Sequence, residues 1–258
     1  MSNEPPVSGK RSVQSPKDLV SFTWGLKRFA RECGADLVGI ADLGRLEGIR
    51  TEPEDLLEGH TRAVCMAVRL SEGIVDAIVD RPTPLYQQNY VKINALLDDI
   101  ALRVMQYIQS GGARAVPIPA SQVLDKTRWY SYISHKAVAV AAGIGWQGKS
   151  LLLINRNHGP RLRLVTVLTD MPLEPDRPVK NLCAKCSACA EACPVGAIKN
   201  VNTDLHYKDR KEALHLDRCV ARVVENQTNL PFIEAPICGV CIRACPFGRR
   251  KKSLRETR

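Results

Sequence analysis

Cys183-Ala-Lys-Cys186-Ser-Ala-Cys189-Ala-Glu-Ala-Cys193-Pro194 spaces four thiols as C-x2-C-x2-C-x3-C-P, and the pattern half-repeats downstream. There Cys219 stands apart from Cys238-Gly-Val-Cys241-Ile-Arg-Ala-Cys245-Pro246. Such spacing lets three thiolates of a run converge on one inorganic centre, with backbone amides turned toward its sulfides. The fourth cysteine is expected to begin a following helix that points away, and so to ligate the other centre. The assignment is therefore crossed. Cys183, Cys186, Cys189 and Cys245 hold one centre; Cys219, Cys238, Cys241 and Cys193 hold the other.

This is the spacing of a bacterial two-cluster ferredoxin, so the expected cofactors are two [4Fe–4S] clusters for passing single electrons. Structural zinc also uses paired C-x2-C elements, but rarely this longer run, and here the run is half-repeated. Cys33 and Cys65 lie outside both runs and read as packing residues.

Outward from the cysteines, 258 residues with 45% hydrophobic and 25% charged content allow one or two globular domains. No apolar run reaches the roughly 18 residues of a membrane span. The polar, proline-bearing start MSNEPPVSGKRSVQSPKD reads as a loose tail without a signal core. The expectation is a cytoplasmic protein with no membrane partner, where clustered cysteines mean metal rather than disulfides. A formal charge of +10 points to an anionic partner. Half of that excess is terminal, because Arg249, Arg250, Lys251, Lys252, Arg255 and Arg258 face only Glu256. The clusters subtract further, each being a net dianion. The basic signal is a tail, not a basic domain.

The remaining chain alternates helix and strand periods. Ser15 to Cys33 reads as an amphipathic helix capped by Ser15-Pro16, with Leu19, Phe22, Leu26 and Phe29 on one face. Strands are expected at 34–43, 62–70, 113–119, 150–154 (SLLLI) and 162–170. A long helix is expected over 90–110, with Ile93, Leu97, Ile100, Val104 and Ile108 inward. Another is expected over 133–142. MPLEPDRPVK (171–180) marks the domain boundary. The layout is a tail (1–14), an α+β domain (15–176), a ferredoxin-like domain (177–248) and a basic tail (249–258).

AGIGWQGKSLLLI (142–154), followed by the two cysteine runs, resembles epoxyqueuosine reductases and the related corrinoid reductive dehalogenases. The resemblance covers roughly residues 15 to 248. It implies a nitroreductase-like α+β domain that holds cobalamin, reduced by the nearer cluster. It also implies an oxidoreductase supplied by an electron donor such as ferredoxin or flavodoxin, with tRNA or a corrinoid protein as further candidate partners. Candidate cofactor-binding residues are Ser121, His135, Gly145, Trp146, Gly148 and Lys149, the glycines allowing close approach to a bulky ligand.

Two departures accompany the resemblance. Epoxyqueuosine reductases usually continue into a helical-repeat domain that helps grip tRNA, so against that pattern the expectation is a short form. They also carry an acidic proton donor before the AGxGW segment, where this chain has Arg128, Trp129, Tyr130 and Ser131. Asp125 is the nearest carboxylate. Tyr130 is the first candidate acid, since a phenol beside a cation is tunable toward proton donation. Tyr132, Tyr86 and Tyr90 stand behind it, and each is equally readable as a buried phenol with one hydrogen bond. Two other classes remain: an electron carrier serving a partner protein, and an RNA-modification factor using the basic tail.

Overall fold

A computed structural model describes residues 16–249. The N-terminal tail, Ser15 of the expected cap and the basic positions after Arg249 lie outside the described residues.

Helix α1 (Pro16–Glu32) leads into strand β1 (Leu37–Asp42), a 3-10 turn (Leu43–Leu46) and strand β2 (Arg62–Arg69). Helix α2 (Glu72–Asp76) precedes the long helix α3 (Pro84–Ser110), which starts six residues earlier than its apolar stripe suggests. The reason is local. The Thr83 hydroxyl accepts the Tyr86 amide at 3.2 Å, and Pro84 occupies the first turn, where its missing N–H costs nothing. Strand β3 (Ala115–Ile118), helix α4 (His135–Ala141), the short strands β4 (Trp146–Gln147) and β5 (Leu153–Ile154), and strand β6 (Leu162–Thr169) complete the larger domain.

The main sheet runs β1-β2-β6-β3, antiparallel throughout. Pro117 sits in edge strand β3, where a missing donor is tolerated. Side chains alternate between two cores. Val64, Met66, Val68, Val165 and Val167 pack against α1 and α3, while Ala63, Cys65, Ala67, Leu164 and Leu168 face α4. The α4 face is built from small residues. A Cβ on Gly39 would lie 2.2 Å from the Ala142 carbonyl, so the end of α4 rests directly on β1.

SLLLI is a strand only at Leu153–Ile154, which pairs with Trp146–Gln147 outside the main sheet. Leu151 is left-handed (φ 62°), and its amide closes a turn onto the Gly148 carbonyl at 2.9 Å. The proline-bearing stretch after β6 has no regular structure and caps the edge of β1. The Asp176 amide donates to Ile40, and its carboxylate accepts the Ile40 N–H and pairs with Lys27, the latter two at 2.7 Å.

Short helices α5 (Ala188–Glu191), α6 (Arg210–Ala213) and α8 (Val240–Ala244), with the longer α7 (Leu216–Asn229), carry the cysteine module. No described helix is long and apolar enough to cross a membrane.

Candidate functional site

The two cysteine runs repeat their backbone as well as their spacing. Ala184 (φ 42°) and Gly239 (φ 89°) follow the first cysteine of each C-x2-C in the left-handed region. Gly196 (φ 57°) and Gly248 (φ 77°) repeat this after Cys193-Pro-Val and Cys245-Pro-Phe. Contrary to expectation, the fourth cysteine does not begin a helix. Cys193 lies just past the end of α5, and Cys245 is the C-cap of α8. The short helix itself swings the fourth thiol away from its own run.

The thiols crowd in the expected crossed sets. Burial, then Cys183, Cys189 and Cys186, push the Cys245 thiol up to about 11, against the opposing Phe247 amide. Burial, then Cys238 and Cys193, raise Cys219. Cys241 is driven well above the ordinary range by burial, then by Cys238 and Cys219, with Cys189 and Cys193 behind. Thiols that raise one another in this way are relieved by a polycationic core. Among the described residues no group of three His, Cys, Asp or Glu suits a single metal ion. Tetrahedral zinc draws its ligands to one point, whereas a cubane spreads them over four irons. The residues fit clusters.

The AGIGWQGKS segment lies against the first cysteine loop. The Trp146 indole N–H donates to Cys183 Sγ at 3.3 Å, and its ring meets Phe247 edge-on at 5.0 Å. Lys149 Nζ donates to the Cys186 carbonyl at 2.9 Å. A Cβ on Gly148 would lie 2.6 Å from Ile154 Cγ1 and 3.4 Å from Cys183 Sγ; one on Gly145 would lie 2.2 Å from the Ile154 carbonyl. Trp146, Gly148 and Lys149 thus lie at the junction with the module, Gly145 packs on the Ile154 backbone of its own domain, and none of the four lines the large cavity.

That cavity, of about 930 Å³, lies between the N-terminal end of α4 and the module. Ser121 and His135, two of the candidate cofactor-binding residues, and Tyr130, the first candidate acid, line it. Its far wall comes from the module: Tyr207, Arg210 and Ile242, the last beside Cys241. Leu151, Leu152 and Leu153 form an apolar side, which is why SLLLI is apolar without being a full strand.

Among the candidate acids, Tyr130 faces the cavity between the guanidinium groups of Arg50 (3.7 Å) and Arg210 (4.1 Å). Asp125 does not line the cavity. Its carboxylate accepts the Arg128 and Thr127 amides at 2.8 Å and pairs with the Arg128 guanidinium, contacts that hold its carboxyl below the usual range. Tyr86 is buried against Gly239, and burial raises its phenol well beyond the ordinary range. The Tyr90 hydroxyl is bonded to Ser121 at 2.8 Å under Arg163.

His135 has both nitrogens engaged. Nε2–H donates to the Pro119 carbonyl at 2.9 Å, which leaves Nδ1 to accept the Thr166 hydroxyl at 2.8 Å. Burial lowers its pKa to about 4. It braces α4 against β6 as a neutral ring. The residue beside it was missed by sequence reasoning. Lys136 lines the cavity, and burial, then Arg163 and Arg210, lower its ammonium to about 8 against the pull of Cys219 and Cys241. Only its place in the SHKAVAVA run, at the start of a helix, hinted at this.

A family profile described as a 4Fe-4S double cluster binding domain matches residues 182–248. The epoxyqueuosine reductase of Salmonella typhimurium is 24% identical over 278 aligned positions, covering 92% of this chain and 67% of that protein. That of Aliivibrio fischeri is 46% identical over 132 positions, 48% of this chain and 33% of its own length. Among solved structures, a catabolic reductive dehalogenase in complex with 3-bromo-4-hydroxybenzoic acid superposes with a TM-score of 0.69 at 19% identity. It covers 95% of this chain and 34% of that one. An epoxyqueuosine reductase with an epoxyqueuosine-modified tRNA stem loop superposes with a TM-score of 0.61 at 21% identity, covering 88% and 65%. The chain thus shares the α+β fold of both groups followed by a double-cluster module, and the resemblance read from AGIGWQGKS is borne out. It spans about two thirds of these full-length reductase matches and a third of the dehalogenase.

Proposed function

We propose that this chain is a reductase of the epoxyqueuosine reductase type, in which two [4Fe–4S] clusters feed single electrons to a corrinoid in the 930 Å³ cavity. One observation carries the reading. The cavity has one wall on α4 and the other on the cluster module, with Ile242 of the wall adjacent in sequence to the cluster ligand Cys241. A ligand there touches both the domain that positions it and the element that reduces it.

A corrinoid in this place supplies low-valent cobalt for reducing a bound electrophile. The chain's own residues do the rest. Leu151 to Leu153 and Ile242 exclude water, Ser121 and Tyr207 offer polar edges, and Lys136 holds a transferable proton at Nζ near neutral pH. Tyr130, between two guanidinium groups, is the second proton source. The electron donor is a small ferredoxin or flavodoxin. The substrate is an epoxyqueuosine-bearing tRNA stem loop, by likeness to the reductases; halogenated hydroxybenzoates are the comparison arm.

Anaerobic reconstitution followed by iron and cobalt analysis tests this. The expected result is about eight irons for two cubanes, with one corrinoid per chain, and turnover of the tRNA arm that drops at least tenfold in Lys136→Met. Iron without corrinoid retention rejects the reading in favour of a pure electron carrier.

A further inference from the structure

We infer that Trp146 and Lys149 raise the reduction potential of the cluster held by Cys183, Cys186, Cys189 and Cys245. Trp146 is 2% exposed, and its indole N–H has one acceptor, the ligand sulfur of Cys183 at 3.3 Å. The ring also packs on Phe247, two residues after Cys245. It therefore touches both ends of one crossed ligand set.

Lys149 is 5% exposed, and its ammonium donates to the Cys186 carbonyl. Among the described residues no carboxylate lies within ion-pair distance of it. A buried cation without a counter-ion is costly. The cluster with its four thiolates is a dianion beside the Cys186 loop, and it supplies the missing charge. Gly148 keeps the approach open, because a side chain there would meet Ile154 and push the segment off the Cys183 sulfur.

Both groups act in one direction. Reduction adds a negative charge to the cluster, and an N–H donor on sulfur and a nearby ammonium stabilise that charge more than the oxidised state. The electron is taken up more readily at this cluster than bare thiolate ligation allows. The inference rests on the two-cluster part of the proposed function and is independent of the corrinoid.

The test is a redox titration of the anaerobically prepared full chain, followed by electron paramagnetic resonance. Trp146→Phe and Lys149→Met should each lower the midpoint of one and the same cluster. The expected size is about tenfold in the one-electron equilibrium, or about 59 mV. Lys149→Arg should restore it, and the second cluster should not move. Unchanged midpoints with full iron, or an equal fall at both clusters, overturns the inference. Should Trp146→Phe shed iron, the lysine pair decides alone: equal midpoints for Met and Arg overturn it. A chain that binds no corrinoid rejects the proposed enzyme while leaving this titration standing.

Discussion

Arg210 clasps Trp129. Its guanidinium donates to the Trp129 carbonyl and to that of Arg128, both at 2.6 Å, while stacking 4.1 Å from the Tyr130 ring. One side chain of the cluster module thereby fixes the loop that carries the candidate proton donor. Trp129 itself is left-handed (φ 58°), a conformation that a bulky residue keeps only when its surroundings hold it.

Arg210→Ala should free that loop. Two charge-assisted bonds of about 1.5–3 kcal/mol each are lost, partly offset by water. Hydrogen exchange over residues 122–131 should rise about tenfold or more, and the α4 amides should not change. Arg210→Lys should recover little, because an ammonium cannot serve two carbonyls in a planar fork. Unaltered exchange in the alanine variant would refute the clasp.

The crossed ligand sets make a paired prediction. Cys186→Ser and Cys245→Ser should disturb the same cluster, and Cys193→Ser and Cys238→Ser the other, as read by the residual paramagnetic signals. A run-by-run assignment predicts the opposite pairing, with Cys193→Ser matching Cys186→Ser.

The neutral His135 ring sets a pH dependence whose sign follows from linkage. Its pKa falls from 6.5 to about 4 on folding. Between these values the unfolded chain binds more protons, so stability rises with pH across that window. The contribution is complete above about 6.5 and is lost as pH falls toward 4, roughly 3 kcal/mol in all. Chemical denaturation at pH 7 and pH 5 should show about 2 kcal/mol of this loss, the rest coming below pH 5, and His135→Gln should flatten it. An equal slope in both proteins would remove His135 as the cause.

How much of this was legible in the chain differs by residue. The double-cluster module over 182–248 is legible in the cysteine pattern because cluster ligation is set by spacing along the backbone. The α3 stripe from Ile93 to Ile108 reads correctly because burial on one face imposes a period. SLLLI misleads because an apolar run is the same whether it lies in a sheet or walls a cavity, as Leu151 and Leu152 do. The glycines around Trp146 do signal close approach, but the sequence has no marker for what approaches: Gly143 meets the Arg177 carbonyl, Gly145 the Ile154 carbonyl, and Gly148 the Ile154 side chain and the Cys183 sulfur. Lys136 and Arg210 owe their setting to elements far apart in sequence, and no local pattern records such meetings.

The last contact of the module with the larger domain is backbone on backbone. A Cβ on Gly159 would lie 2.0 Å from the Phe247 carbonyl, and one on Gly248 would lie 2.2 Å from the His158 carbonyl. Both glycines are left-handed, with φ of 57° and 77°. Gly159→Ala therefore adds a clash that no side chain can relieve to a conformational cost of about 1 kcal/mol. The backbone must part, and the end of the module bearing Cys245 moves with it. Thermal unfolding should show a loss of about 3 kcal/mol or more, at the high end for single substitutions. Iron should be lost first from the cluster that Cys245 completes, while Gly73→Ala, where a Cβ meets open space, should leave both clusters loaded.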